Sequence, residues 1–185
     1  MARFGWGFGV VAVVLASVAQ AQTVTGEAAQ AMLFAPGKAE VELSGGDILP
    51  KDQAKVLQMV AVDQPYYAAI AISPDEGLMS EATVAAANYH TVEAASTVAL
   101  AECNAKKQGT AECLVVALVR PEGWSAQALQ LSSDATADMA NYAGGAVAVS
   151  ATTGSWGLGD TTDAAVAACV DRNPAATDCV AVIAD

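Results

Sequence analysis

The sequence has little of what catalysis and nucleic-acid binding usually need. It contains one histidine, and only 5% of its residues are aromatic. Basic residues number 8 against 20 acidic ones, so the net charge is −12 at pH 7. A surface this acidic repels phosphates and anionic lipid head groups, so we expect neither nucleic acid nor a membrane surface among its partners. The acidity would suit a cation or a basic partner, although scattered carboxylates are more typical of a feature that keeps a protein soluble.

Long apolar runs are also scarce, and the one near the N-terminus has the form of a signal peptide. Arg3 precedes the apolar run Val10–Val18, and an Ala-x-Ala cleavage site follows at residues 19–21. The run is short for a bilayer span, which disfavours the alternative of a transmembrane anchor. We therefore expect residues 1–21 to be removed, which leaves a periplasmic or secreted chain that begins at Gln22 and has no integral membrane segment.

Four cysteines, arranged as a repeat, organise the rest of the chain. In residues 99–119 and again in residues 165–185, two cysteines lie ten positions apart, after an alanine-rich run and before an apolar run of β type. An even number of cysteines in an exported chain indicates disulfides, and four cysteines allow three connectivities. Since each repeated segment should carry its own bridge, the repetition selects Cys103 with Cys113 and Cys169 with Cys179. Metal is the alternative, but neither gap has zinc-binding spacing, so we expect no metal and no cofactor.

Apolar periodicity predicts two units of an α/β (α+β) fold. Residues 22–37 lack periodicity and are expected to form a loose N-terminal arm, while residues 38–120 and 124–185 form the first and second units. Each unit is predicted to run β-α-β-β-α-β, the order of a ferredoxin-like unit, with its helices on one face of the sheet. The predicted strands are Ala39–Ser44, Tyr67–Ser73, Leu78–Ala86, Cys113–Val119, Gln127–Ser132, Ala146–Ser150, Ser155–Gly159 and Cys179–Ala184. The predicted helices are Lys51–Val60, Thr91–Ala105, Ala135–Tyr142 and Thr161–Asp171.

The cysteine segments resemble a domain family of unknown function found in exported bacterial proteins. The family pattern is a strand of Ala-Ile-Ala-x-Ser type, a small turn, an alanine-rich helix that ends in Cys, a polar loop and a Cys-x-Val-Val strand. Residues 69–73 and 146–150 match the first strand of this pattern, and the four cysteines match the rest. The resemblance implies an exported protein.

The chain after residue 21 also resembles short exported alphaproteobacterial proteins, some of which bear the name 5-aminolevulinate synthase. That activity requires a pyridoxal-phosphate lysine, an acidic partner for the pyridine nitrogen and groups that hold a phosphate. The five lysines fall at predicted surface positions or near the arm, and the sequence has no phosphate-cradling glycine loop. The residues therefore do not support that activity.

His90 is the candidate for acid–base chemistry, because the unperturbed pKa of histidine lies near neutrality. Glu93 and Glu81 are close in the sequence and would make His90 a general base. The alternative is structural, since His90 lies where a helix begins and its pairing with Glu93 would support the first turn.

Aromatic residues provide candidates for binding. Trp124, Trp156 and Tyr66 either stack on a sugar or peptide or fill the core. Asp75 and Glu76 could contact Ca²⁺, although turn chemistry explains them better. We expect an exported, disulfide-stapled, non-catalytic protein that binds a protein, a peptide or an envelope component; the alternative is a small periplasmic enzyme that uses His90 with a carboxylate.

Overall fold

The computed structural model describes residues 23–44 and 48–185 as a mixed α/β fold with two antiparallel sheets, which is the predicted fold class. The helices are α1 (Gly26–Gln30), α2 (Lys51–Ala61), α3 (Val92–Lys106), α4 (Ser133–Asp138) and α5 (Thr162–Arg172). The strands are β1 (Ala39–Leu43), β2 (Ala68–Ile72), β3 (Val84–Ala86), β4 (Leu114–Pro121), β5 (Ala146–Val149), β6 (Trp156–Gly159) and β7 (Val180–Ala184). The predicted signal peptide lies outside the described residues. No helix within them is long and apolar enough to cross a membrane.

The first sheet has the strand order β1-β4-β2-β3, and every neighbouring pair is antiparallel. Strand β2 is buried along its whole length. Because side chains alternate across a strand, Ile70 and Ile72 belong to one face of the sheet, and Ala69 and Ala71 belong to the other. The sheet therefore has two apolar faces that differ in the size of their side chains.

The two longer helices of the first unit lie on opposite faces, so the prediction that they share one face, as in a ferredoxin-like unit, is wrong. Helix α2 packs Leu57 and Ala61 against the isoleucine face. Helix α3 packs Ala95, Ala99 and Cys103 against the alanine face. The physical reason lies in β2, because a strand that is apolar on both sides must be covered on both sides.

The second sheet has three strands within the described residues, in the order β6-β5-β7. The predicted strand Gln127–Ser132 does not form, because Leu131 buries its side chain in the second core and Ser132 caps helix α4. The predicted strand Leu78–Ala86 is also shortened to β3, since residues 78–83 are mostly turns. Both predictions gave a strand to residues that the tertiary structure uses otherwise.

The N-terminal segment, which we expected to be loose, packs on the second sheet. Val24 bridges Ile183 of β7 in parallel, with backbone hydrogen bonds of 3.0 Å on each side. Helix α1 follows, and its Ala29 is fully buried in the second core. The backbone N–H of Gly26 donates to Oδ1 of Asp185 at 2.9 Å. This segment therefore covers the edge of β7 that the absent strand would have covered.

Strands β2 and β5 share backbone irregularities. The register with the neighbouring strand shifts after Ile70 in β2 and after Val147 in β5, which are equivalent positions in the aligned repeats. Each strand then enters a turn, at residues 73–77 and 150–154, in which a serine carbonyl accepts a hydrogen bond from a glycine N–H four residues later. Both glycines, Gly77 and Gly154, have a positive φ, at +77° and +70°. Strands β2 and β5 and the turns that follow them thus share these backbone details.

Candidate functional site

His90 lies between the two units, and both of its ring nitrogens are engaged. Nδ1 accepts a hydrogen bond from the backbone N–H of Ser132 at 3.1 Å, and Nε2 lies 3.1 Å from the carbonyl oxygen of Ser155. Because Nδ1 accepts, the hydrogen-bond network places the proton of the neutral ring on Nε2, which donates to Ser155. The residue is 4% exposed, and this burial lowers the pKa of His90 below its ordinary value, despite the opposing effect of Ser155.

The carboxylates expected beside His90 lie on the surface. Glu81 and Glu93 are both exposed. Glu93 belongs to the first turn of α3, whose N-cap is Thr91, with its Oγ1 accepting from the N–H of Ala94 at 3.1 Å. The structure therefore does not assemble the predicted catalytic pair, since His90 is buried in a contact between units and Glu93 faces solvent.

Two of the three aromatic candidates are core residues. Tyr66 is 1% exposed, and its hydroxyl donates to the carbonyl of Phe34 at 3.2 Å. Trp156 is also buried, and its indole N–H donates to Asp138 at 2.9 Å. The guanidinium carbon of Arg172 lies 3.8 Å from the centre of the Trp156 ring, as in a cation–π contact. Neither aromatic side chain offers a free face to a ligand.

Trp124 is the aromatic candidate that reaches the surface. It is half-buried, and the guanidinium carbon of Arg120 lies 4.8 Å from the centre of its ring. Both residues line a groove of about 300 Å³ that is otherwise lined by Glu40, Val41 and Glu42 of β1. Arg120 also forms an ion pair with Glu42. Trp124 therefore belongs to a polar groove along β1 rather than to a broad aromatic platform.

The four cysteines form the predicted pairs, with Cα–Cα distances of 6.1 Å for Cys103–Cys113 and 6.2 Å for Cys169–Cys179. In each unit the bridge joins the last turns of a helix to the residue just before the final strand. The bridges thus hold α3 and α5 against the alanine faces of their sheets, where Cys103 and Cys169 are fully buried.

Asp75 and Glu76 hold the loop that the first bridge closes. Oδ2 of Asp75 accepts two backbone N–H groups at 2.9 and 3.0 Å, and Oε1 of Glu76 accepts two more at 2.9 and 3.0 Å. The four donors belong to Gln108, Gly109, Thr110 and Ala111. These backbone hydrogen bonds lower the pKa of both carboxyls. Residues 23–44 and 48–185 contain no cluster of three His, Cys, Asp or Glu side chains suited to a metal ion.

The second unit has the same kind of contact with the roles exchanged. Here the carboxylate, Asp178, lies in the disulfide loop, and the donors lie in the turn after β5. Asp178 accepts from the hydroxyl of Ser150 and from both the N–H and the hydroxyl of Thr152, at 3.0 and 2.8 Å for the latter two. Partial burial raises its pKa, but these hydrogen bonds outweigh that effect and lower it overall. Each disulfide loop is therefore tied to the turn beside it.

An exposed apolar strip runs along helix α2 and just past its end. Its members are between 45% and 64% exposed. They are Val56, Met59, Val60 and Val62. Isolated apolar residues are ordinary on a protein surface, but neighbours that form a patch often mark an interaction site.

A groove of about 600 Å³ separates this strip from strand β1. It is lined by Glu40, Val41, Lys55, Gln58, Met59 and Val62. Glu40 and Val41 also line the groove that contains Trp124, so both grooves border β1. We call the strip, the two grooves and β1 together the α2–β1 face.

Sequence reasoning missed this face because it sought only the stripe that α2 buries. That stripe explains Leu57 and Ala61, but residues 56–62 contain more apolar side chains than one buried stripe needs. This excess of apolar side chains indicates that some of them are exposed. It does not show which of these residues no other part of the chain packs against.

No family model, curated protein or solved structure matches the chain. The family resemblance of the cysteine segments therefore stays a prediction.

Proposed function

We propose that the protein is exported and acts in the periplasm or outside the cell as a disulfide-stapled, non-catalytic binding protein. Its partner is a protein, a peptide or an envelope component that docks on the α2–β1 face. The exposed apolar strip of α2 carries this proposal. A partner that covers the strip gains roughly 25 cal/mol for each Å² of apolar surface removed from water.

Export is supported by features of the whole chain. Disulfides persist in oxidising compartments and are rare in the cytosol. The two bridges, each closing a ten-residue separation, therefore fit a protein that matures outside the cytoplasm. The signal-peptide pattern of residues 1–21 points to the same compartment.

The surroundings of His90 favour a binding role over an enzymatic one. A general base must reach the proton it removes, directly or through one water. Both ring nitrogens of His90 already bond to main-chain groups of the second unit, and the residue is 4% exposed. No observation favours the alternative of a small periplasmic enzyme.

Site-specific photo-crosslinking in the producing cells tests the proposal. A photoreactive amino acid replaces Met59 on the α2–β1 face, and in a matched control it replaces Val170, which is 37% exposed on α5. We expect a discrete adduct from position 59 that is lost with Val60→Asp and is absent from position 170. Equal adducts from both positions, or none from position 59, would overturn the proposal.

A further inference from the structure

We infer that the α2–β1 face binds an extended peptide segment in which apolar and basic residues alternate, and that this segment joins the first sheet as a strand beside β1. The inference rests on the proposed function and specifies its partner. Strand addition takes its affinity from main-chain hydrogen bonds and its specificity from alternate side chains.

Strand β1 has the backbone groups that such a partner needs. It lies at the edge of its sheet, and β4 is its sheet neighbour within the described residues. Backbone hydrogen bonds at the two ends of the ladder join Ser44 to Val116 and Glu122 to Lys38. Because hydrogen-bonded pairs alternate along an antiparallel ladder, the N–H and C=O groups of Ala39, Val41 and Leu43 point away from β4. These groups form a template for one more strand.

The two sides of β1 differ in chemistry. Ala39 and Val41 pack with the core on the α2 side. Glu40 and Glu42 alternate with them, so their exposed carboxylates extend to the other side of the sheet. A strand laid beside β1 would place every second side chain next to the apolar groove and the intervening side chains next to the carboxylates.

Charge then defines the partner. A basic residue opposite Glu40 makes a favourable cross-strand pair, whereas an acidic residue there is repelled. The Glu42 carboxylate already pairs with Arg120. Lys55 lines the groove on the α2 side and disfavours basic residues on that side. The acidic net charge of the chain, −12, attracts a basic segment over longer distances.

The same carboxylates disfavour a second copy of the chain as the occupant. If two β1 strands paired antiparallel about Val41, Glu40 of one copy would lie opposite Glu42 of the other. Like charges directly opposite one another destabilise a strand pair. Charged residues on an edge strand are also a common protection against self-association.

Synthetic peptides test the inference on the exported, oxidised protein. The first probe is Thr-Val-Lys-Val-Lys-Val-Thr, and its acidic counterpart is Thr-Val-Glu-Val-Glu-Val-Thr. We expect the acidic peptide to bind at least about tenfold more weakly, because favourable cross-strand charge pairs become repulsive ones. A shuffled peptide, Thr-Lys-Lys-Val-Val-Val-Thr, keeps the composition and loses the alternation, so it should also bind more weakly.

Methylation of the peptide backbone separates strand addition from simple charge attraction. An N-methyl group on the central valine removes the N–H that would face Val41 and should abolish binding. The same group on a lysine lies on an N–H that points away from β1 and should leave binding largely unchanged. Equal effects of the two methylated peptides would overturn the inference.

Charge reversal in the protein provides the second arm. Glu40→Lys should weaken binding of the basic peptide and strengthen binding of the acidic one. Glu81→Lys changes the net charge equally at an exposed position in the turn before β3, so it should leave the preference for the basic peptide in place. Far-ultraviolet circular dichroism shows whether both variants are folded. A loss of preference in both variants would mean that overall charge attracts the peptide and would overturn strand addition.

The outcomes distinguish this inference from the proposed function. A crosslinked partner at position 59, together with no peptide binding, overturns the inference and leaves the proposed function standing. Absence of both overturns the two together. Light scattering that shows a wild-type dimer abolished by Val60→Asp would identify a second copy as the occupant of the α2–β1 face and would also overturn the inference.

Discussion

Nδ1 of His90 accepts a hydrogen bond from the backbone N–H of Ser132 at 3.1 Å, so a side chain of the first unit completes the start of helix α4 in the second. A reciprocal pair lies beside it. The N–H of Asp134 donates to Oδ1 of Asn88 at 3.1 Å, and Nδ2 of Asn88 donates to the Asp134 carboxylate at 3.0 Å. The segment before α3 therefore binds the units together through polar contacts.

Replacing His90 by leucine should destabilise the protein by about 2–4 kcal/mol, because two buried main-chain groups lose their partners. His90→Asn is the matched variant, since its amide oxygen can still accept from Ser132, and it should cost less. Urea unfolding at pH 7.5 measures the free energy of unfolding of wild type and of the two variants. Equal stability of wild type and His90→Leu would contradict the assigned role.

The stability of the wild type should also fall in mild acid because of His90. Burial lowers the pKa of the folded residue, so the unfolded chain binds the proton first as the pH drops. The stability that the neutral ring contributes is fully present above the ordinary histidine pKa of 6.5. It is lost as the pH falls toward the lower pKa of the folded residue. Between about pH 7 and pH 5, wild type should therefore lose more stability than His90→Leu does. If the free energies of unfolding of wild type and His90→Leu fall by the same amount across that range, the prediction is wrong.

Each disulfide should stabilise its own unit. Replacing Cys103 and Cys113 together by serine should cost about 2–3 kcal/mol in the chain-entropy model for so short a loop. A non-reducing peptide map of this variant should still contain the Cys169–Cys179 bridge. A peptide that links the first pair to the second in wild type would refute the pairing.

The Asp75 carboxylate should make stability depend on strongly acidic pH. Its folded pKa is lowered below the ordinary value of 3.8 by the backbone hydrogen bonds, so its contribution is present above that value and is lost as the pH falls through the folded pKa. Asp75→Asn should therefore be less stable than wild type at neutral pH, and the difference should shrink below about pH 3. Chemical denaturation at neutral pH and below about pH 3 measures the difference in the free energy of unfolding between wild type and Asp75→Asn. Asp171→Asn, at an exposed position on α5, is the control.

Processing should remove residues 1–21. Mass spectrometry of the exported protein is expected to find a chain that begins at Gln22, with that glutamine intact or cyclised. A chain that still begins at Met1 and is extracted only by detergent would contradict the export proposal.

Sequence reasoning succeeded where structure is set locally. The repetition of the cysteine segments identified the two bridges, and the apolar runs identified β2 and β4 as strands. The alternation of isoleucine and alanine in β2 was visible too, and it explains why α2 and α3 cover opposite faces. The prediction that both helices lie on one face of the sheet was wrong, because the order of the elements along the chain does not determine which face of the sheet each helix covers.

Contacts between distant segments could not be predicted in this way. His90 bonds to residues that lie 42 and 65 positions further along the chain. No periodicity encodes such partners, and a lone histidine beside glutamates resembles a catalytic site just as well. The exposed apolar strip of α2 could not be predicted for a related reason, since composition does not show which apolar side chains pack against another part of the chain.

The bridge between Val24 and Ile183 determines when the second sheet can be finished. Gly26 and Asp185, which lie 159 positions apart, are joined beside it. Nearly the whole described chain separates Val24 from the strand that it joins. The strands of the first sheet lie between residues 39 and 121, so their contacts close shorter loops. Closing so long a loop costs entropy, and such distant contacts form slowly. We therefore expect the outer edge of the second sheet to form later in folding than the first sheet.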